Sequence, residues 1–118
     1  MSHSHKITIN QVLINKINAK QDFSYSLNND TKRYIVGDKN LFSGKNPSIQ
    51  YDLIYNDILE LDNSYSTIGG WTDPKTSIYY VDYSLSFDSV FDALEVAREN
   101  KEIAIYDTLE NKAITLIK

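Results

Sequence analysis

The chain has 118 residues, a formal net charge of −4 and no cysteine. That length suits one domain rather than two, and the missing cysteines exclude disulfides, thiolate metal sites and cysteine nucleophiles together. At 42% hydrophobic and 24% charged residues, the composition is that of a globular chain and not a disordered one.

A single domain over residues 1–118 is expected, with residues 1–6 disordered. No window approaches 18 consecutive apolar residues, and the opening MSHSHKITIN lacks the apolar core of a signal peptide. The expected compartment is therefore the cytoplasm, with no membrane contact. Charge is split along the chain. Residues 1–47 carry seven basic groups against three acidic ones, a net of +4; residues 48–118 carry five against thirteen, a net of −8. A duplex-binding protein needs a basic excess, so direct duplex binding is not expected. Summed surface charge of this kind steers oppositely charged partners instead.

In chain order, Thr8 can cap a helix over residues 8–20 that places Ile9, Val12, Leu13 and Ile17 on one face, although the β-branched residues leave a strand open. Residues 22–27 alternate polar and apolar, Asn28-Asn29-Asp30 reads as a turn, and residues 32–36 return as the second arm of a hairpin. Residues 37–47 read as a polar loop. Ser48 can cap a short helix carrying Leu53, Ile54 and Ile58, while an extended 49–55 stays equally open. Residues 65–71 read as a strand, Asp73-Pro74-Lys75-Thr76 as a turn, and residues 78–83 as its return.

The clearest helix is expected over residues 87–100. Phe87, Val90, Phe91, Leu94 and Ala97 form its buried stripe, with Leu94 fully buried, and Asn100 suits the C-cap. Residues 102–107 and 113–117 then make a second hairpin around 108–112. The order of elements indicates an α+β fold with a mostly antiparallel sheet, one firm helix and one or two further helices in the N-terminal half.

Catalytic chemistry has little to stand on. His3 and His5 are the only histidines, both beside the N-terminus, so a Ser–His–Asp triad has no well-placed base. An N-terminal Met-Ser-His can bind copper or nickel, but neither a functional metal site nor a cofactor is expected. Asp88, Asp92, Glu95 and Glu99 recur at helical spacing as one acidic stripe. The plain reading is a solvated face. The sharper one notes that four helical residues rise about 6 Å, close to the spacing of phosphates along a nucleic-acid strand, so such a row can mimic a phosphate backbone.

Gly69-Gly70-Trp71 lacks the lysine and the spacing of a phosphate loop. Paired glycines in a strand mark a bulge or a close backbone approach, and Trp71 is then either a core plug or an exposed anchor. Nine tyrosines stand out. Alternation sends Tyr79 and Tyr83 to one face of their strand and Tyr80 to the other, and exposed tyrosines favour protein interfaces.

The run Ile68-Gly69-Gly70-Trp71-Thr72-Asp73-Pro74-Lys75-Thr76, followed by Tyr79-Tyr80-Val81-Asp82 and the segment 87–107, resembles a pattern in small proteins of bacteriophages and other mobile elements. The resemblance covers residues 68–117 and implies no established activity. With the acidic balance, it leads to the expectation of a non-enzymatic protein that binds and inhibits a host protein with a basic surface, such as a nuclease or defence complex. Asp88, Asp92, Glu95, Glu99, Tyr79 and Tyr83 are the candidate contact residues. The alternative is a homo-oligomeric binder of a nucleotide signal whose pocket draws on Arg33 and Arg98. A hydrolase using Asp and Glu comes third.

Overall fold

Over residues 2–48 and 55–116, which the computed structural model describes, the chain forms α1 (Ser2–Asn18), β1 (Phe23–Ser26), β2 (Tyr34–Gly44), α2 (Tyr55–Leu59), β3 (Thr67–Thr72), β4 (Tyr79–Phe87), α3 (Val90–Glu99), β5 (Ala104–Asp107) and β6 (Lys112–Thr115). The strands make one sheet in the order β1-β3-β4-β2-β5-β6, with every described pairing antiparallel. The class is α+β. No helix among the described residues is long and apolar enough to cross a membrane.

Alternation along β4 puts Tyr79, Val81 and Tyr83 on the buried side, together with Ile68 of β3. Leu13, Ile14 and Ile17 of α1 and Ile58 of α2 close over them as the first core cluster. A helix is thus present where one was expected over 8–20, but it ends at Asn18 and begins at Ser2, inside the segment expected to be disordered. Its buried stripe is also rotated: Ile14 joins Leu13 and Ile17, while Val12 is 46% exposed. Of the helix expected after Ser48, the part at Ile58 is present; Leu53 and Ile54 lie outside the described residues. The second cluster joins Val36, Ala93, Ala97 and Ile105, with Phe87 and Leu94 packed against it. Phe87 has the same parity along β4 as Tyr83, so both clusters lie on one side of that strand.

The paired glycines of β3 mark a close approach. A Cβ on Gly70 would collide with the Tyr79 hydroxyl and with Phe23, and one on Gly69 would sit 3.0 Å from the Phe23 carbonyl oxygen. The bare Gly70 backbone lets the Tyr79 ring pass and donate its hydroxyl proton to the Gln21 carbonyl at 2.7 Å, at the end of α1. That hydrogen bond ties the first helix to the sheet.

Two expectations fail for non-local reasons. The strands at 23–26 and 34–44 are not a hairpin, because β3 and β4 lie between them. The Asn28 turn is real, with Asn28 Oδ1 accepting from the Asp30 amide at 2.9 Å. Its side-chain amide, however, donates to the carbonyls of Asn63 and Tyr65, and the Lys32 amide donates to Ser86 Oγ. These bonds draw the connection across the sheet end rather than back along β1. The polar loop expected at 37–47 is instead strand as far as Gly44. Two register shifts, between Gly37 and Lys39 and between Asn40 and Phe42, let this polar segment follow β4 while Leu41 and Phe42 pack on the first cluster.

The hairpins of β3–β4 and β5–β6 form as expected, the first around an Asp73 side chain that accepts from the Lys75 amide at 2.9 Å. Gly70→Ala should cost about 1–3 kcal/mol, the usual penalty of overpacking, read as a lowered midpoint in urea denaturation. An unchanged midpoint would contradict the role given to the Gly70–Tyr79 contact.

Candidate functional site

The acidic stripe is positioned by the way α3 begins and ends. Ser89 is extended (φ −90°, ψ 126°), and its hydroxyl accepts from the Asp92 amide at 3.4 Å. This N-cap starts the helix at Val90 and leaves Phe87 in β4, three residues later than expected. Small residues set the packing: Ala93 and Ala97 are fully buried against Val36 and Ile105. The helix axis comes close to the sheet there, so Leu94, expected to be fully buried, lies only partly covered at the flank. Phe91, expected in the buried stripe, is 79% exposed. The outward side of α3 therefore carries exposed Asp92, Glu95 and Glu99, with Asp88 exposed just before the cap and Phe91 among them.

Tyr79 and Tyr83 are not on any surface. They are 0% and 2% exposed, which corrects their expected role as contact residues. The Tyr83 hydroxyl donates to the Asp57 carbonyl at 3.2 Å, and its ring stacks on Tyr65 with centroids 4.8 Å apart. Burial raises both phenols, Tyr79 beyond the ordinary tyrosine range. An aromatic pair at the sheet surface is cross-strand instead: Trp71, 39% exposed, stacks on its half-buried register partner Tyr80 at 5.1 Å. Trp71 is thus at the surface and not a core plug.

Neither Arg33 nor Arg98 lines the cleft found among the described residues. Arg33 is held in a bidentate pair, its Nε and guanidinium NH2 donating to the two Asp107 oxygens at 2.9 Å each. The hydrogen bonds from Arg33 hold the Asp107 carboxyl down at about 2. Asp107 also accepts from the amides of Leu109 and Glu110, so it anchors the β5–β6 turn to the start of β2. Arg98 is exposed on α3.

The structure adds a cleft among the described residues that was not expected. Gly37, Asp38, Asn40, Asp82, Asn100 and Glu102 line a cavity of about 120 Å³. Three separate segments build it. The β2–β4 register sets Asn40 opposite Asp82, and the Asn40 amide donates to the Asp82 carboxylate at 2.9 Å. The helix end supplies the rest: the Glu102 amide donates to the Ala97 carbonyl at 2.8 Å, closing a Schellman turn through Lys101 at φ 59°. Asn100 then donates to the Gly37 carbonyl at 3.0 Å and to Asp38 Oδ1 at 3.1 Å. Burial, with the Asp82 and Asp38 charges added, pushes the Glu102 carboxyl up to about 7. Burial also raises Asp82, against hydrogen bonds from Asn40 and Trp71. Among the described residues no group of histidine, aspartate or glutamate side chains is arranged to hold a metal ion.

A signal for the cleft was present in the sequence: Asp82 is the only charged residue in the strand segment YYVDYSLSF. Its partners come from distant segments with no shared spacing, which leaves nothing periodic to find. No family model, curated protein or solved structure matches the chain.

Because Phe91 points outward, Phe91→Ser should change stability by no more than about 0.5 kcal/mol, as surface substitutions do. Ala97→Leu, on the opposite face, should cost about 1–3 kcal/mol by overpacking. Urea denaturation of both variants tests this; a large loss for Phe91→Ser would return Phe91 to the core.

Proposed function

We propose that the chain is a non-enzymatic interaction protein whose exposed α3 face binds a protein with a basic surface and blocks it. The observation that carries this reading is Phe91, 79% exposed and set among the carboxylates of Asp88, Asp92, Glu95 and Glu99. Interfaces draw most of their affinity from a few central, largely aromatic anchors with a polar surround. The charges act earlier, on the rate of encounter with a cationic partner. In the finer form of the proposal, suggested by the resemblance at residues 68–117, the protein is encoded by a phage or mobile element. Its partner is then a host protein such as a nuclease or defence complex.

The alternatives have weaker support. A nucleotide-signal binder needs cationic groups converging on the phosphates, whereas the cleft is lined by Asp38, Asp82 and Glu102 and Arg33 is committed to Asp107. A hydrolase needs two carboxyl groups pushed apart in acidity, one kept ionised. Glu102, raised to about 7 with the Asp82 charge as one cause, meets that condition beside Asp82, but the cleft they share among the described residues, about 120 Å³, is well below the roughly 300–1,000 Å³ of ordinary small-molecule sites.

The test is capture of the partner from host lysate, followed by kinetics with the purified pair. Phe91→Ala should weaken binding by about 2 kcal/mol, as truncation of a central anchor does. The double variant Asp92→Lys, Glu95→Lys should slow association and flatten its salt dependence, with thermal melts unchanged from wild type. Equal rates and equal salt slopes for all three proteins would leave the α3 face as solvated surface.

A further inference from the structure

Glu102 stands at the joint where α3 hands the chain to β5. Its backbone is fixed by the Schellman bond to Ala97, and its carboxyl lies directly over Gly37, so that a side chain there would have to displace it. Gly37 begins the first register shift of β2, so the carboxyl rests where the β2–β4 register first changes. Two carboxylates share the cavity, Asp82 from β4 and Asp38 from β2. The two carboxamides that line it already have partners: Asn40 with Asp82 and the Phe42 carbonyl, Asn100 with Asp38 and the Gly37 carbonyl. An ionised Glu102 in this position meets two negative charges. A neutral one escapes that repulsion and the cost of burying a charge.

We propose that Glu102 is a proton-operated latch, docking the α3–β5 joint on the β2 bulge when its carboxyl is neutral and releasing it when the carboxyl ionises. The cavity supplies the geometry, and the elements packed on it supply the charges. From β2 come Asp38 and its neighbour Lys39, whose charge acts on Asp62 in the α2–β3 connection. From that same connection Tyr65 interacts with Asp38. β4 contributes Asp82, held by Asn40 and Trp71. The last turn of α3 and its cap carry Arg98, Glu99 and Lys101, all exposed. Among the described residues no lysine or arginine forms an ion pair with Asp38, Asp82 or Glu102.

The sign follows from linkage. An ordinary glutamate with a reference value of 4.5 is raised to about 7 here. The folded state therefore holds a proton that the unfolded chain has already lost between those values, and stability falls as pH rises across that window. Above about 7 the carboxylate leaves the cleft, and the bonds of Asn100 to β2 loosen with it. The latch thus operates near neutral pH, and it governs the C-terminal anchorage of α3.

The experiment is a ¹H–¹⁵N NMR titration of the full chain from pH 5.5 to 8.5, following the amides of Gly37, Asn100, Glu102 and Ala104. Wild type should show one shared transition near pH 7 at these amides, with hydrogen-exchange protection at Glu102 lost above it. Glu102→Gln should abolish the transition and keep the protection. His3 and His5 remain in that variant, so their own titration is controlled. Asp82→Asn, which removes one repelling charge but keeps Glu102, should move the midpoint to lower pH. Flat wild-type amides, a transition that survives Glu102→Gln, or a midpoint unmoved by Asp82→Asn would each overturn the latch.

Discussion

The register in which β2 runs along β4 governs both faces of this molecule. On the buried side, Phe42 opposes Val81 and Val36 opposes Leu85, so one long pairing serves the cluster under α1 and α2 and the cluster under α3. On the other side the same register sets Asn40 beside Asp82 and leaves the bulge at Gly37 bare for the Glu102 carboxyl. A slip of one residue would exchange the two sides of β2. The two register shifts take up one extra residue each, Asp38 and Leu41, without such an exchange.

From this frame α3 takes its orientation. Alanines at 93 and 97 bring the helix close to Val36 and Ile105, and the larger side chains divide between flank and solvent. The result is a helix with an outward side that combines carboxylates with an exposed phenylalanine. Its C-terminal end is tied to β2 by Asn100, with the Glu102 carboxyl close over Gly37. At the opposite end, near the start of β2, the bidentate Arg33–Asp107 pair holds the β5–β6 hairpin. A pair of this kind supplies directional hydrogen bonds as well as charge, with Asp107 nearly fully buried.

What was legible in the sequence was local. The β3–β4 and β5–β6 hairpins and the helix before Asn100 are marked by their own turn and cap residues: Asp73-Pro74, Thr108 to Lys112, and Asn100 itself. Pairing between distant segments was not legible. A true turn at Asn28 leads to a strand two places away, because Asn63, Tyr65 and Ser86 capture the connection. The polar residues 38–40 conceal a strand that depends on β4 for its hydrogen bonds. The rotation of α3 escaped periodicity as well, since Phe91 and Leu94 are more apolar than the alanines that make the contact. The acidic residues of the α3 face were read from spacing alone and all four lie exposed, whereas the tyrosines chosen with them belong to the core. The cleft draws one carboxylate from each of three segments, which no local pattern encodes.

The central claim is that α3 presents the contact surface. Hydrogen exchange of the protein alone and in complex with its captured partner, read residue by residue, tests it most directly. The account predicts added protection across residues 88–99 with the β3–β4 surface at Trp71 and Tyr80 unchanged. Protection confined to Trp71 and Tyr80, with α3 exchanging as in the free protein, would contradict it.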